Sequence, residues 1–137
     1  QMCIRDSFLT VGAPAPLQEA CAVGLEELDS GYYEELVSGY GERRRILVDA
    51  LRQAGFRCSP PEGAYYVMAD YSELSDEPDS GFARTLAREA GVAAVPGSSF
   101  FQGDFENGRL LRFAFCKRAE TLREAGERLR RYASAGS

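Results

Sequence analysis

Histidine and tryptophan are absent from this 137-residue chain, and lysine occurs once, at Lys117. Without histidine the chain cannot form a Cys/His catalytic pair, and the usual nitrogen ligand of zinc is missing. The four cysteines, Cys3, Cys21, Cys58 and Cys116, contain no Cys-x-x-Cys pair. We therefore expect no metal site, and we expect Cys58 and Cys116, which lie in predicted strands, to be buried free thiols.

Long apolar runs and basic blocks are missing as well. No run approaches the roughly 20 residues that a membrane-spanning helix needs. The 16 basic and 21 acidic residues give a net charge of -5, and the longest basic block is Arg43–Arg45. These features predict a soluble, cytoplasmic domain without a nucleic-acid or membrane partner. An apolar content of 45% is enough for one packed core.

Hydrophobic periodicity predicts two helices, then strands interleaved with a helix, then a final helix. The expected fold class is α+β in two layers, a small mixed sheet covered by helices. The first predicted helix has apolar positions from Leu17 to Leu28, and Asp29-Ser30-Gly31 after it offers a cap for the next helix. A long helix from about Tyr32 to Ala54, closed by Gly55, carries one apolar stripe that includes Leu36, Val37, Leu47, Val48 and Leu51. The remaining predicted elements are a short extended piece Phe56-Arg57-Cys58, a strand over Ala64–Asp70 after a turn whose unusual backbone angles Gly63 supplies, a helix capped by Asp79 or Ser80 with Phe82, Ala83, Leu86, Ala87 and Ala90 on its core face and ending at Gly91, strands over Val92–Val95 and Leu110–Lys117, and a helix with Leu122, Ala125, Leu129, Tyr132 and Ala133 on one side.

The last predicted strand carries an arginine among apolar neighbours. Its alternation puts Leu111, Phe113 and Phe115 on one face and Arg112 on the other. Because arginine keeps its proton, a shielded guanidinium needs an anion that accepts paired hydrogen bonds. That anion is either the carboxylate or phosphate of a ligand, or an internal acid such as Asp70 or Glu62.

Several stretches, in this order and spacing, resemble one known family. They are Phe8-Leu9-Thr10-Val11-Gly12-Ala13-Pro14 with Gln18, the long helix with Arg43–Arg45 followed by Gly55-Phe56, Pro61-Glu62-Gly63-Ala64-Tyr65-Tyr66, Val95-Pro96-Gly97-Ser98-Ser99-Phe100, and Leu111-Arg112-Phe113-Ala114-Phe115 before Thr121-Leu122. From Phe8 to Tyr132 the chain resembles the C-terminal part of the fold-type I, pyridoxal-phosphate-dependent class I/II aminotransferases. The kynurenine, glutamine and methionine aminotransferase subgroup is the most similar.

The resemblance implies specific roles. In the family, the arginine that aligns with Arg112 binds the α-carboxylate of the amino-acid or 2-oxo-acid substrate. The segment around Val11 and Gly12 resembles the one that approaches the neighbouring subunit's active site in a homodimer. The family's Schiff-base lysine lies upstream of the stretch matched by Phe8, whereas Lys117 follows the arginine strand. The resemblance thus implies pyridoxal 5'-phosphate in a full-length parent, and no catalytic or cofactor-binding residue in this chain, which alone should be inactive.

The same likeness suggests a division of the chain. Residues 1–7 match no pattern and are interpreted as a foreign or disordered leader. Residues 8–29 would be the tail of a large cofactor domain, 30–55 an interdomain helix, 56–134 the small C-terminal domain and 135–137 a frayed end.

Three alternatives remain open at this point. A cysteine-conjugate β-lyase could use the same scaffold and carboxylate-binding arginine for elimination. An aminotransferase-like domain could instead bind an amino-acid effector in a transcriptional regulator, although no basic recognition helix is visible here. The chain could also be a standalone interaction domain. A soluble, cooperatively folding monomer would favour that alternative, because an exposed apolar face on the first or the long helix would make the chain prone to aggregate without its partner.

Overall fold

The computed structural model describes residues 13–101 and 108–135. The chain divides into two compact units, Gln1–Val37 and Ser38–Ser137, and the division falls inside the longest helix. No helix in the described ranges is both long and apolar enough to cross a membrane.

The described part of the first unit is helical. Helix α1, Ala15–Glu27, follows Pro14 and has no buried residue. Helix α2, Ser30–Gln53, begins after Asp29, whose carboxylate accepts a hydrogen bond from the backbone N–H of Tyr32 at 3.0 Å. This contact confirms the predicted cap, because an Asp oxygen here satisfies an N–H group that has no partner within the helix.

Only the second half of the predicted α2 stripe is buried. Leu47, Val48 and Leu51 belong to the core. Leu36 and Val37 are 40% and 71% exposed, so the first half of the predicted apolar stripe is not covered. Helical periodicity marks an apolar face but does not say where a neighbouring element covers it. The helix ends as predicted before Gly55, whose positive φ of 88° suits glycine.

Three strands form one sheet in the order β1-β3-β2. Strand β1 is Tyr66–Asp70, β2 is Val95–Pro96 and β3 is Leu110–Ala114. Both pairings are antiparallel, so the described sheet is not mixed, although the α+β class is confirmed. Strand β2 is shorter than predicted. Pro96 is tolerated because β2 lies at the sheet edge, where a missing N–H breaks no central ladder.

A helix with a wider last turn connects β1 to β2. Helix α3, Asp79–Thr85, continues into a π-helical turn, Leu86–Ala90, which ends at Gly91 with a φ of 65°. Phe82, Ala83 and Leu86 are buried as predicted. Ala87 is exposed, contrary to the prediction. A π turn contains more than 3.6 residues, so the positions after Leu86 rotate away from the face that α-helical spacing assigns to them.

Helix α4, Ala119–Ala135, closes the core. Leu122 and Leu129 are buried, and Ala125 and Tyr132 pack partly against the core. One buried cluster forms the core, with residues from one face of the sheet, from the helices and from the segments next to them. It includes Leu51, Phe56, Val67, Phe82, Leu111, Phe113 and Phe115.

Two local predictions are wrong. The left-handed residue before β1 is Ala64, with a φ of 61°, and not Gly63. Cys116 is exposed and Cys58 is half-buried, with burial raising the pKa of the Cys58 thiol against the opposing effect of Arg52. Strand β3 ends at Ala114, so Cys116 lies in the connection to α4 and outside the packed sheet.

Candidate substrate-binding site

Strand β3 places Arg112 on the face of the sheet that points away from the core. Leu111 and Phe113 are 0% and 3% exposed, whereas Arg112 between them is half-buried. Arg112 lies opposite Met68 of β1 and Val95 of β2. The alternation predicted from sequence is thus confirmed, and Arg112 occupies the central strand with a neighbour on each side.

Two aromatic rings flank the guanidinium of Arg112. Its Cζ lies 4.2 Å from the ring centroid of Phe100 and 5.0 Å from that of Tyr66. Both distances are within the range of cation–π attraction. A cation–π contact uses the face of the guanidinium, so the N–H groups at the edge of its plane can still bind an anion.

No acid in the described ranges pairs with Arg112. Asp70, one of the two internal candidates, pairs instead with Arg57, with 2.8 Å between Nη2 and Oδ2. Its other oxygen accepts the backbone N–H of Ser72 at 2.8 Å. Glu62, the second candidate, forms no ion pair within those ranges. The sheet face therefore has two arginines with different environments, one neutralised by an acid and one held by rings.

The pKa of Asp70 reflects this pairing. Partial burial raises the pKa of its carboxyl, but hydrogen bonds from Ser72 and the hydrogen bond and charge of Arg57 outweigh burial, and the net pKa lies below the usual 3.8. Asp70 is consequently ionised near neutral pH and committed to Arg57.

Within the described residues, the guanidinium of Arg112 has no hydrogen-bond partner. In the part of the chain that the structure describes, no buried side-chain nitrogen or oxygen lacks a hydrogen-bond partner. Since no described group bonds to Arg112 through a hydrogen bond, its nitrogens must keep contact with solvent. A carboxylate could displace that water and form two parallel charge-assisted bonds.

The turn after β2 brings Phe100 to this site. Residues Gly97–Phe100 form a single 3₁₀ turn directly after Pro96. A Cβ on Gly97 would lie 2.8 Å from the carbonyl oxygen of Leu110, so glycine is required where this turn crosses β3. The backbone N–H of Ser98 donates to the Asp79 carboxylate at 2.7 Å. Sequence reasoning treated Asp79 as a helix cap and missed this contact, for which the sequence carries no local signal.

Other predicted residues lie apart from Arg112 or outside the description. Val11 and Gly12 fall outside the described residues. Lys117 is exposed and lines a shallow surface hollow with Arg43, Arg118 and Thr121. No cluster of potential metal ligands occurs in residues 13–101 and 108–135.

Comparison with known proteins identifies the family of the chain. The sequence profile described as "Aminotransferase class I and II" matches residues 1–129. The chain belongs to this family. Members use pyridoxal 5'-phosphate, which a lysine amine holds as a Schiff base. In the described ranges no lysine flanks the guanidinium of Arg112, and Lys117 lines the separate hollow.

Individual relatives support the family and its subgroup. The chain is 38% identical to a methionine aminotransferase from Escherichia coli, over 90% of this chain and 31% of that protein. It is 32% identical to a kynurenine–oxoglutarate transaminase from Dictyostelium discoideum, over 89% of this chain and 32% of the relative. The chain thus spans about a third of the length of the relatives that it matches.

Solved structures of the family match the fold. A structure of the Escherichia coli methionine aminotransferase aligns with a TM-score of 0.77 over 91% of this chain and 32% of that one, at 38% identity. An N-succinyldiaminopimelate aminotransferase from Mycobacterium tuberculosis aligns with a TM-score of 0.78 over 90% of this chain and 32% of that one, at 33% identity. The described helices and antiparallel sheet therefore match the C-terminal portion of aminotransferases.

Proposed function

We propose that this chain is the C-terminal, substrate-binding part of a pyridoxal-phosphate-dependent aminotransferase that transfers an amino group from an amino acid to a 2-oxo acid. In this proposal Arg112 binds the α-carboxylate of both substrates. The observation that carries it is the half-buried guanidinium of Arg112, which is held by two aromatic rings and is paired with no acid in the described ranges. Membership of the family supplies the reaction class.

The proposed role follows from the chemistry of the site. An amino acid and a 2-oxo acid share a planar carboxylate, so one guanidinium can accept either substrate with the same pair of hydrogen bonds. Tyr66 and Phe100 reduce the access of water around that ion pair, which strengthens it. Arg112 would thus orient the α-carbon of the substrate, and a cofactor bound in the parent protein would supply the electron sink for proton removal.

The rest of the active site would come from elsewhere in a parent protein. We propose that the Schiff-base lysine is encoded upstream and that this chain alone neither holds the cofactor nor turns over substrate. We also propose a homodimeric parent in which Val11 or Gly12 approaches the partner's pocket. Five large apolar side chains on α1, on the first half of α2 and between them are exposed: Leu17, Leu25, Leu28, Leu36 and Val37. Their exposure supports the proposal that another part of the parent protein covers these two helices.

A kinetic experiment tests the role of Arg112. With the upstream coding sequence restored, we expect Arg112→Ala to raise the KM for the amino-acid substrate by about 10- to 100-fold, since it removes hydrogen bonds to a charged group. Arg57→Ala is the matched control, because it removes an arginine from the same face that is already paired with Asp70. It should leave the KM close to that of the unmodified protein.

Two results would decide against parts of this proposal. Unchanged turnover and KM in Arg112→Ala would reject Arg112 as the carboxylate-binding residue. Release of pyruvate and ammonia from a cysteine conjugate, in place of a 2-oxo acid with an unbroken side chain, would identify β-elimination as the reaction instead of transamination. Product analysis by mass spectrometry separates these two reactions on the same protein.

A further inference from the structure

Asp79 is the one buried charged residue among those that the structure describes. Each of its carboxylate oxygens accepts a backbone N–H at 2.7 Å, one from Ser80 at the start of α3 and one from Ser98 in the turn after β2. A buried carboxylate is costly unless hydrogen bonds compensate it. These two contacts compensate Asp79, and they join segments that are 19 residues apart.

The Ser98 contact is the third restraint on one short turn. Pro96 is paired with Leu111 in the sheet, and Gly97 lies so close to Leu110 that even a Cβ would collide with its carbonyl oxygen. These two contacts locate the start of the turn. The bond from Ser98 to Asp79 sets its direction, immediately before Phe100.

Phe100 needs this restraint because the core does not hold it. Its side chain is 47% exposed, yet its ring centroid is 4.2 Å from Cζ of Arg112. An exposed ring keeps one position when its backbone is fixed, and otherwise loses it to rotamer and loop motion. The turn, and through it Asp79, therefore determines whether the ring stays against the guanidinium.

We propose that Asp79 is a positioning residue for carboxylate binding. It holds the Gly97–Phe100 turn so that Phe100 packs against Arg112 and keeps the guanidinium edge directed at the ligand carboxylate. This inference rests on the proposed role of Arg112 as the carboxylate-binding residue. It adds that carboxylate binding by Arg112 also depends on Asp79, whose carboxylate bonds to the backbone of Ser80 and Ser98.

The test uses NMR of the 137-residue chain, with the Nε–Hε resonance of Arg112 as the reporter. A proton near the face of Phe100 is shifted upfield by the ring, so the resonance reports the ring position without any ligand. We expect Asp79→Asn to move the Arg112 signal downfield towards its position in Phe100→Leu. The amide group of Asn keeps one acceptor oxygen where the carboxylate has two, so one backbone N–H loses its partner.

Pyruvate, a small 2-oxo acid, serves as the probe, and uncharged pyruvamide is the ligand control. We expect Asp79→Asn and Phe100→Leu each to weaken pyruvate binding by about 2- to 5-fold, the loss expected for one cation–π contact. The double variant should be no weaker than either single one. Asp76→Asn is the matched protein control. Asp76 lies three residues before Asp79 and forms a surface ion pair with Arg109, so the variant removes an equal charge without changing the contacts of Asp79.

A second variant covers the case in which Asp79→Asn does not fold. Ser98→Pro removes the single N–H that donates to Asp79 from the turn, and proline is tolerated in the first turn of a helix. It should displace the Arg112 resonance in the same direction. Core signals of Leu51 and Leu129 must stay at their wild-type positions for either variant to count as folded.

The outcomes separate this inference from the proposed function. An unchanged Arg112 resonance and pyruvate affinity in folded Asp79→Asn or Ser98→Pro would overturn the positioning role. A wild-type chain in which pyruvate moves the Arg112 signal no more than pyruvamide does would instead reject carboxylate binding by Arg112. The ligand-free ring shift would still show in that case whether Asp79 positions Phe100.

Discussion

At the scale of single residues, the two arginines of the sheet face show how context selects function. Arg57 and Arg112 carry the same group, but Arg57 faces Asp70 while Arg112 faces two rings. An exposed pair such as Arg57–Asp70 contributes about 0–1 kcal/mol to stability. Within the described residues the guanidinium of Arg112 has no acid partner, so in the proposed function its hydrogen-bonding capacity serves recognition of a carboxylate.

A second residue-scale feature, the buried Tyr71, gives a pH prediction. Its ring stacks on Phe82 with 4.4 Å between centroids, and its hydroxyl donates to the carbonyl oxygen of Glu77 at 2.8 Å. Burial, and then the negative charge of Asp79, raises the pKa of Tyr71 from 10.0 to about 12. As the pH rises, the unfolded chain therefore releases this proton before the folded chain does. The contribution of Tyr71 to the free energy of unfolding is fully present below pH 10 and is lost as the pH rises towards 12.

We expect this loss to reach about 2 to 3 kcal/mol in the free energy of unfolding. Urea denaturation at a series of pH values from 8 to about 12 measures the free energy of unfolding. This free energy should fall less steeply with pH in Tyr71→Phe than in the wild type. Tyr65→Phe, which changes a half-exposed tyrosine, should show the same fall in the free energy of unfolding with pH as the wild type. Identical slopes for Tyr71→Phe and the wild type would rule out Tyr71 as the source of this pH dependence.

At the scale of elements, the contact between α2 and α4 depends on one glycine. A Cβ added to Gly126 would lie 2.6 Å from the Cβ of Ala50. We expect Gly126→Ala to lower the free energy of unfolding by about 1–3 kcal/mol, the usual cost of overpacking, although alanine is the better helix former. Thermal and urea unfolding measure this directly.

The chain offers a control for the change at Gly126. Gly41 in α2 has no atom within 4 Å of an added Cβ, so Gly41→Ala should stabilise the chain by up to about 1 kcal/mol. In the Gly126→Ala background, Ala50→Gly should recover part of the loss through a favourable coupling in a double-mutant cycle. An additive double variant would argue that the two helices do not touch at these residues.

Sequence reasoning located the elements better than it located the contacts between them. Strict alternation around Arg112 predicted its face correctly, because that face depends on local geometry alone. The partner of Asp70 could not be chosen from sequence, since it follows from an isolated antiparallel bridge between Arg57 and Asp70. The turn before β1 was misassigned for a similar reason, because the left-handed position fell one residue later, on Ala64.

At the scale of the whole molecule, burial differs sharply between the two units. Helix α1 has no buried residue, whereas the second unit contains the complete buried cluster around Leu51, Leu111 and Leu129. Backbone hydrogen bonds that no packing protects open with little free energy. We therefore expect α1 amides to exchange with deuterium at the shortest labelling times, while those of β3 exchange slowest.

The comparison of two samples extends this exchange prediction to the proposed parent. Hydrogen–deuterium exchange detected by mass spectrometry would follow peptides of α1 and β3 in the 137-residue chain and in the protein with its upstream sequence restored. If the exposed apolar side chains of α1 are covered in the parent, α1 should gain protection there while β3 remains unchanged. Equal protection of α1 in both samples would mean that nothing upstream packs on this helix, and the proposed covering surface would have to be abandoned.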